Sequence, residues 1–160
     1  MKVARMGVMA AAILAVAALA WAQKPDFTGT WTLDPAAAGT AGGGGGGGRG
    51  GRGGILGMGP ASVKQSATDL VVESTMGDNK ITRTYKLDGS ESKNTYTGRG
   101  GQTMEAVSTA KWDGAKLNVV TKTSFNDQTF ETTEVWTVDG STLTVESTNA
   151  RGTQKRVYKK

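Results

Sequence analysis

Whatever chemistry this chain performs, it performs without histidine or cysteine, since its 160 residues contain neither. That removes Ser-His-Asp triads, Cys-His pairs, disulfides and nearly all transition-metal sites together. The groups left to act on another molecule are carboxylates, arginines, tyrosines and tryptophans. Nothing places two carboxylates as an inward pair, so the sequence reads as a non-enzyme, with no catalytic residue, no metal and no cofactor. Arg83 and Glu134 stand out because each falls on an otherwise apolar strand face. A buried charge needs a partner. The two could pair across an interior, hold a polar head group, or sit in water at strand ends. Trp112 and Trp136 lie on similar faces and are candidates, with Arg83, for lining a ligand cavity.

The elements that must position these residues are strands. Phe27 to Asp34 reads FTGTWTLD, with Phe27, Gly29, Trp31 and Leu33 on one face and Thr28, Thr30, Thr32 and Asp34 on the other. That is the period-two pattern of a half-buried strand. Trp31 is expected to seal one end of a core, and Gly29 to leave room for a close approach. From Ala61 onward, Asp-Gly pairs recur at Asp88-Gly89, Asp113-Gly114 and Asp139-Gly140, 25 and 26 residues apart. Asp-Gly between alternating runs is a strong hairpin signal. Softer turn signals lie between them.

This punctuation predicts about ten strands: 27–34, 61–67, 70–76, 80–87, 91–97, 103–112, 116–125, 128–138, 142–149 and 152–159. No window carries a convincing helical stripe. Short strands joined by tight hairpins pair sequentially, and closure removes their open edges. The expected fold is an all-β, up-and-down antiparallel barrel of about 8–10 strands. A two-sheet sandwich and a Greek-key order are the alternatives. Met104, Ala106, Ser108, Ala110 and Trp112 share one face, and three of them are small. That suits a cavity or a tapered, filled core equally.

Two segments fall outside this pattern. Lys2 and Arg5 precede an apolar run that ends in Ala20-Trp21-Ala22, the form of a secretory signal peptide cleaved after Ala22. The expected product is a periplasmic or secreted domain, 23–160, free of any membrane span. Without Lys2 and Arg5 the net charge of +5 falls to a mild +3, which favours solubility over any particular partner. Ala36 to Pro60 holds more than half of the 24 glycines, and is expected to be a flexible loop. Arg49 and Arg52 give it a faint RGG character. Two arginines without aromatics do not make a nucleic-acid segment. Ile55, Leu56 and Met58 could dock back over the barrel mouth or remain mobile.

Both ends of the barrel region resemble a known family. FTGTWTLD resembles the Gly-x-Trp opening strand of the calycin superfamily, which includes lipocalins and fatty-acid-binding proteins. Gln154 to Lys159 resembles the Arg-x-Tyr closing strand of the intracellular fatty-acid-binding branch, and Lys111-Trp112-Asp113-Gly114 matches a hairpin common there. The resemblance implies a calycin-like barrel whose first and last strands pair. In the lipocalin manner Arg156 would pack across Trp31. In the fatty-acid-binding manner Arg156 and Tyr158 would face inward and hold a ligand carboxylate, a task that suits the arginine fork. Three features depart from that branch, the first being the expected export signal, since its members are cytoplasmic. The glycine tract stands where a two-helix lid belongs, and Glu134-Val135-Trp136 lacks the second inward arginine. The likeness is closer to small exported bacterial lipocalin-like domains. The expected function is therefore a non-enzymatic, monomeric barrel that binds a small hydrophobic or amphipathic molecule and no nucleic acid. The alternative is a filled structural or protein-interaction module of the cell envelope.

Overall fold

Alternating apolar and polar residues, interrupted by glycine turns, give ten antiparallel strands in the computed structural model. They are β1 Gly29–Leu33, β2 Ala61–Gln65, β3 Asp69–Met76, β4 Asn79–Lys86, β5 Glu91–Thr97, β6 Thr103–Asp113, β7 Lys116–Phe125, β8 Gln128–Asp139, β9 Thr142–Asn149 and β10 Gly152–Lys159. The structure describes residues 24–36, 56–57, 59–76, 79–97, 103–125 and 128–160. The expected leader, residues 1–22, and most of the glycine tract, including Arg49, Arg52, Ile55 and Met58, lie outside them. No helix among the described residues is long and apolar enough to cross a membrane.

The strands form one sheet in the order β4-β3-β2-β1-β10-β9-β8-β7-β6-β5. Each strand pairs with the next in sequence except β4 with β5, and β1 also pairs with β10, through Thr32 with Lys159 and Leu33 with Tyr158. This is an up-and-down, near-closed barrel of calycin-like form. It is neither the sandwich nor the Greek-key alternative. The three Asp-Gly turns have φ of 86° at Gly89, 58° at Gly114 and 56° at Gly140, a region glycine enters without steric cost. Ion pairs on the outer wall, such as Lys122 with Glu131 at 3.9 Å, are exposed and contribute little.

Closure between β4 and β5 is of a different kind. These strands are the two ends of the sheet order and are not ladder partners. Inward side chains of β5 bridge them instead. Asn94 Oδ1 accepts from Thr84 N at 2.8 Å, and Asn94 Nδ2 donates to Thr84 O at 3.0 Å. Ser92 Oγ accepts from Lys86 N at 2.8 Å. One asparagine amide thus stands in for a missing peptide group. Above it, the Arg83 guanidinium lies 5.2 Å from the Tyr96 ring centroid. The interior faces of Ser92, Asn94 and Tyr96 therefore hold the seam, two residues apart along one strand.

The end of the barrel that carries the Asp-Gly turns is shut by the chain preceding β1. Phe27 is fully buried. It stacks on Trp112 at 5.8 Å and meets Trp136 edge-on at 5.8 Å. Its backbone is pinned on both sides, because Phe27 N donates to Gln65 Oε1 at 3.0 Å and Phe27 O accepts from Trp31 Nε1 at 2.8 Å. Gln65 Nε2 in turn donates to Pro25 O at 3.1 Å. Aromatic pairs in these geometries add about 0.5–1.5 kcal/mol each beyond the area they bury. This floor belongs to one buried cluster with Leu70, Leu117, Leu143 and Val145.

Candidate functional site

Above the floor the inner wall changes character. Register fixes which residues share it: Arg83 lies opposite Val72, Glu134 opposite Val119 and Ser147, and Arg156 opposite Val145. All these partners are buried, so all three charged residues point inward. Ser74, Asn94, Ser108 and Ser147 are buried on the same wall. Ser108 Oγ and Thr121 Oγ1 are 2.8 Å apart. The half of the interior toward the other barrel end is thus mostly polar. At its rim Phe130, also on the inward face of β8, is the large apolar side chain that remains 43% exposed.

Glu134 is the centre of this arrangement. Its side chain is buried, with 2% exposure. Oε2 accepts from Trp136 Nε1 at 3.0 Å, and Oε1 takes a long 3.5 Å contact from Ser147 Oγ. Its charge reaches two tyrosine hydroxyls. Burial drives the Tyr85 hydroxyl well above its ordinary range; Arg83 opposes the shift, while Glu134 and Tyr96 add to it. Burial likewise pushes Tyr158 up to about 12, with Arg156 opposing and Glu134 reinforcing. Glu134 therefore sits within electrostatic reach of both Tyr85 and Tyr158. Arg83 faces the first and Arg156 the second. The site holds acid, two cations and two neutral phenols in a half-dry space, which suits hydrogen bonding and charge recognition.

The residues singled out from sequence fall into two places. Arg83, Arg156 and Tyr158 belong to the polar wall. Trp112 and Trp136 face inward but contribute to the floor. Trp136 joins the two zones through its bond to Glu134. The Trp112 ring is covered by Phe27 on one side, with Lys24 Nζ 5.6 Å from its centroid. Its Nε1 is buried without a protein acceptor among the described residues. Arg156 does not take the lipocalin-like position over Trp31. Its Nη2 donates to Gln154 Oε1 at 2.9 Å, while Lys160 Nζ lies 5.1 Å from the Trp31 ring centroid. Tyr158 Oη donates to Gly57 O at 3.1 Å. The sequence reading missed the tyrosine environment of Glu134 and the side-chain seam. The period-two placement of Tyr85 and Asn94 was the only signal of either.

A recess of about 250 Å³ on the outer wall is lined by Thr30, Pro60, Ser62, Glu73, Thr75 and Lys80, among others. Lys80 Nζ and Glu73 Oε1 lie 3.3 Å apart there, so its two charges satisfy each other.

The fold is an all-β, near-closed antiparallel barrel of calycin-like form, with a mostly polar inner wall above an aromatic floor. A solved structure of that form is similar to the chain: the crystal structure of secretory abundant heat soluble protein 4 from Ramazzottius varieornatus. It is 21% identical, with a TM-score of 0.52, and the match covers 83% of this chain and 93% of that one. At that identity the likeness is one of fold. No family profile matches the chain, and no curated protein does.

Proposed function

We propose that this chain is an exported, non-enzymatic barrel that binds a small amphipathic molecule in the polar half of its interior. The observation that carries the reading is the placement of Arg83, Glu134 and Arg156 on one inner wall above a sealed aromatic floor. An interior serving packing alone has little use for the buried Glu134 with two half-buried arginines on the same wall, because taking such groups out of water is costly. Arg83 and Arg156 offer planar donors to an anionic or acceptor-rich head group, and Phe130, 43% exposed, offers apolar surface to its other part. Glu134 on the same wall disfavours a bare carboxylate near it and favours a head group that also donates hydrogen bonds.

A filled interaction module is the second reading. It draws support from Leu56, a residue outside the strands that is buried with the core.

The test is fluorescence titration with 1-anilinonaphthalene-8-sulfonate, using Thr132→Trp as the blocking variant. Thr132 lies on the inward face of β8, one inward position above Glu134, so a tryptophan there fills the upper interior. Saturable binding by the wild type that Thr132→Trp abolishes, with an unchanged circular dichroism spectrum, supports the ligand reading. Absence of saturable binding to the wild type favours the filled module.

A further inference from the structure

Two stretches outside the strands enter the interior, by very different attachments. At the floor, Phe27 is stacked on Trp112 and fixed by backbone hydrogen bonds to Gln65 and Trp31. Elsewhere, Leu56 and Gly57, a few residues before β2, lie against the inner wall. Leu56 is 1% exposed and belongs to the core cluster. Gly57 O accepts the Tyr158 hydroxyl at 3.1 Å. Gly57 has φ of 74°, and a Cβ there would stand 4.0 Å from Ser74 Cβ. Tyr158 and Ser74 both lie on the inner wall, so Leu56 and Gly57 occupy interior space beside Arg156.

These two residues take no part in the barrel's ladder. The register of β2 with β1 and with β3 begins at Ala61, so every strand pair survives if Leu56 and Gly57 leave. Among the described residues, one side-chain hydrogen bond and one apolar side chain hold them. A backbone carbonyl beside an aliphatic side chain also presents what an amphipathic ligand would present: an acceptor oxygen for Tyr158 and a branched hydrocarbon for the core.

We propose that Leu56–Gly57 is an internal occupant of the ligand seat, a plug that takes the Tyr158 hydroxyl when no ligand is bound and must withdraw for one to enter. This rests on the ligand-binding reading above. It makes the observed arrangement a self-inhibited state, whose apparent affinity is lowered by the fraction of molecules with the plug in place.

The absence of native cysteine allows a direct test. The 4.0 Å separation at Gly57 and Ser74 falls within the Cβ–Cβ range of about 3.5–4.5 Å that a disulfide spans. The full chain carrying Gly57→Cys and Ser74→Cys is titrated with 1-anilinonaphthalene-8-sulfonate, oxidised and then reduced, with disulfide formation followed by mass. The expected result is binding at least about tenfold weaker in the oxidised form, regained on reduction. Leu56→Ala is expected to bind about tenfold more tightly than the wild type. Equal affinity in the two redox states overturns the plug; where the strain of an L residue at Gly57, φ 74°, keeps the disulfide from forming, an unchanged affinity of Leu56→Ala overturns it. If the wild type binds the probe and locking has no effect, the plug alone fails. If no form binds it, the ligand-binding reading fails and takes the plug with it.

Discussion

The Lys160 ammonium lies over the Trp31 ring, 5.1 Å from its centroid, and reaches it by crossing Gly29. A Cβ at Gly29 would collide with Lys160 Cε, and the backbone there has φ of +150°. The glycine of the opening strand thus leaves its room to a side chain from just beyond β10. The cation on the buried tryptophan is a lysine, four residues past the arginine that the family resemblance put there.

Gly29→Ala should therefore destabilise the protein by about 1–3 kcal/mol, from backbone strain and displacement of Lys160. Adding Lys160→Ala should recover part of that loss, because the displaced side chain is then gone. Urea unfolding of the two single variants and the double variant measures the coupling. Arg156→Ala, in contrast, should show no coupling to changes at Trp31.

The seam makes a second expectation. Asn94→Ala leaves Thr84 N and Thr84 O without the amide that pairs with both. Each orphaned group costs about 1–3 kcal/mol where water cannot replace the partner. The loss should exceed that from Thr95→Ala, whose side chain is exposed on the outer wall. Amide exchange should accelerate at Thr84 before it does in β6 to β9, and urea midpoints should rank the two variants.

The floor tryptophans should respond unequally to loss of their indole N–H. Trp136 Nε1 donates to the buried Glu134 carboxyl group at 3.0 Å, so Trp136→Phe removes a buried hydrogen bond and should cost about 2–4 kcal/mol with the lost volume included. Trp112 Nε1 has no protein acceptor among the described residues, and phenylalanine keeps the stack on Phe27. Trp112→Phe should cost less than half as much. Thermal melts of the two variants give the comparison.

Alkaline pH should loosen the barrel through its buried phenols. Burial raises Tyr158 from an ordinary value near 10 to about 12 and also raises Tyr85. A raised pKa means the folded state keeps the proton longer than the unfolded chain. The contribution is fully present below pH 10 and is lost as the pH rises through about 12 for Tyr158. Between those values each such tyrosine should lower stability by about 1.4 kcal/mol per pH unit. Urea unfolding at pH 8, 10 and 11 should show this slope, and Tyr158→Phe should flatten part of it.

Much of this architecture was legible in the sequence because strands advertise themselves by period two and their turns by Asp-Gly. All ten strand positions follow from that pattern to within two residues. β1 begins later than FTGTWTLD suggests, since Phe27 leaves the ladder and dives under the floor. Leu56 docking into the barrel was one of two readings of the end of the glycine tract. Alternation tells which residues face inward, but not how high each stands along the barrel axis, which depends on strand stagger. For that reason Trp112 and Arg83 looked equivalent, though one forms floor and the other polar wall. The seam was hidden for a related reason: Asn94 reads as a polar residue in a strand until β4 is brought beside it. The reach of Lys160 to Trp31 depends on where β10 ends against β1, and no local motif encodes it.

Native mass spectrometry of the protein from its own source, followed by organic extraction, tests the binding claim most directly. The account predicts a co-purifying amphipathic molecule of defined mass, lost from Thr132→Trp. A bare polypeptide mass, from protein that also fails to take up 1-anilinonaphthalene-8-sulfonate in either redox state of the Gly57→Cys, Ser74→Cys variant, would contradict it.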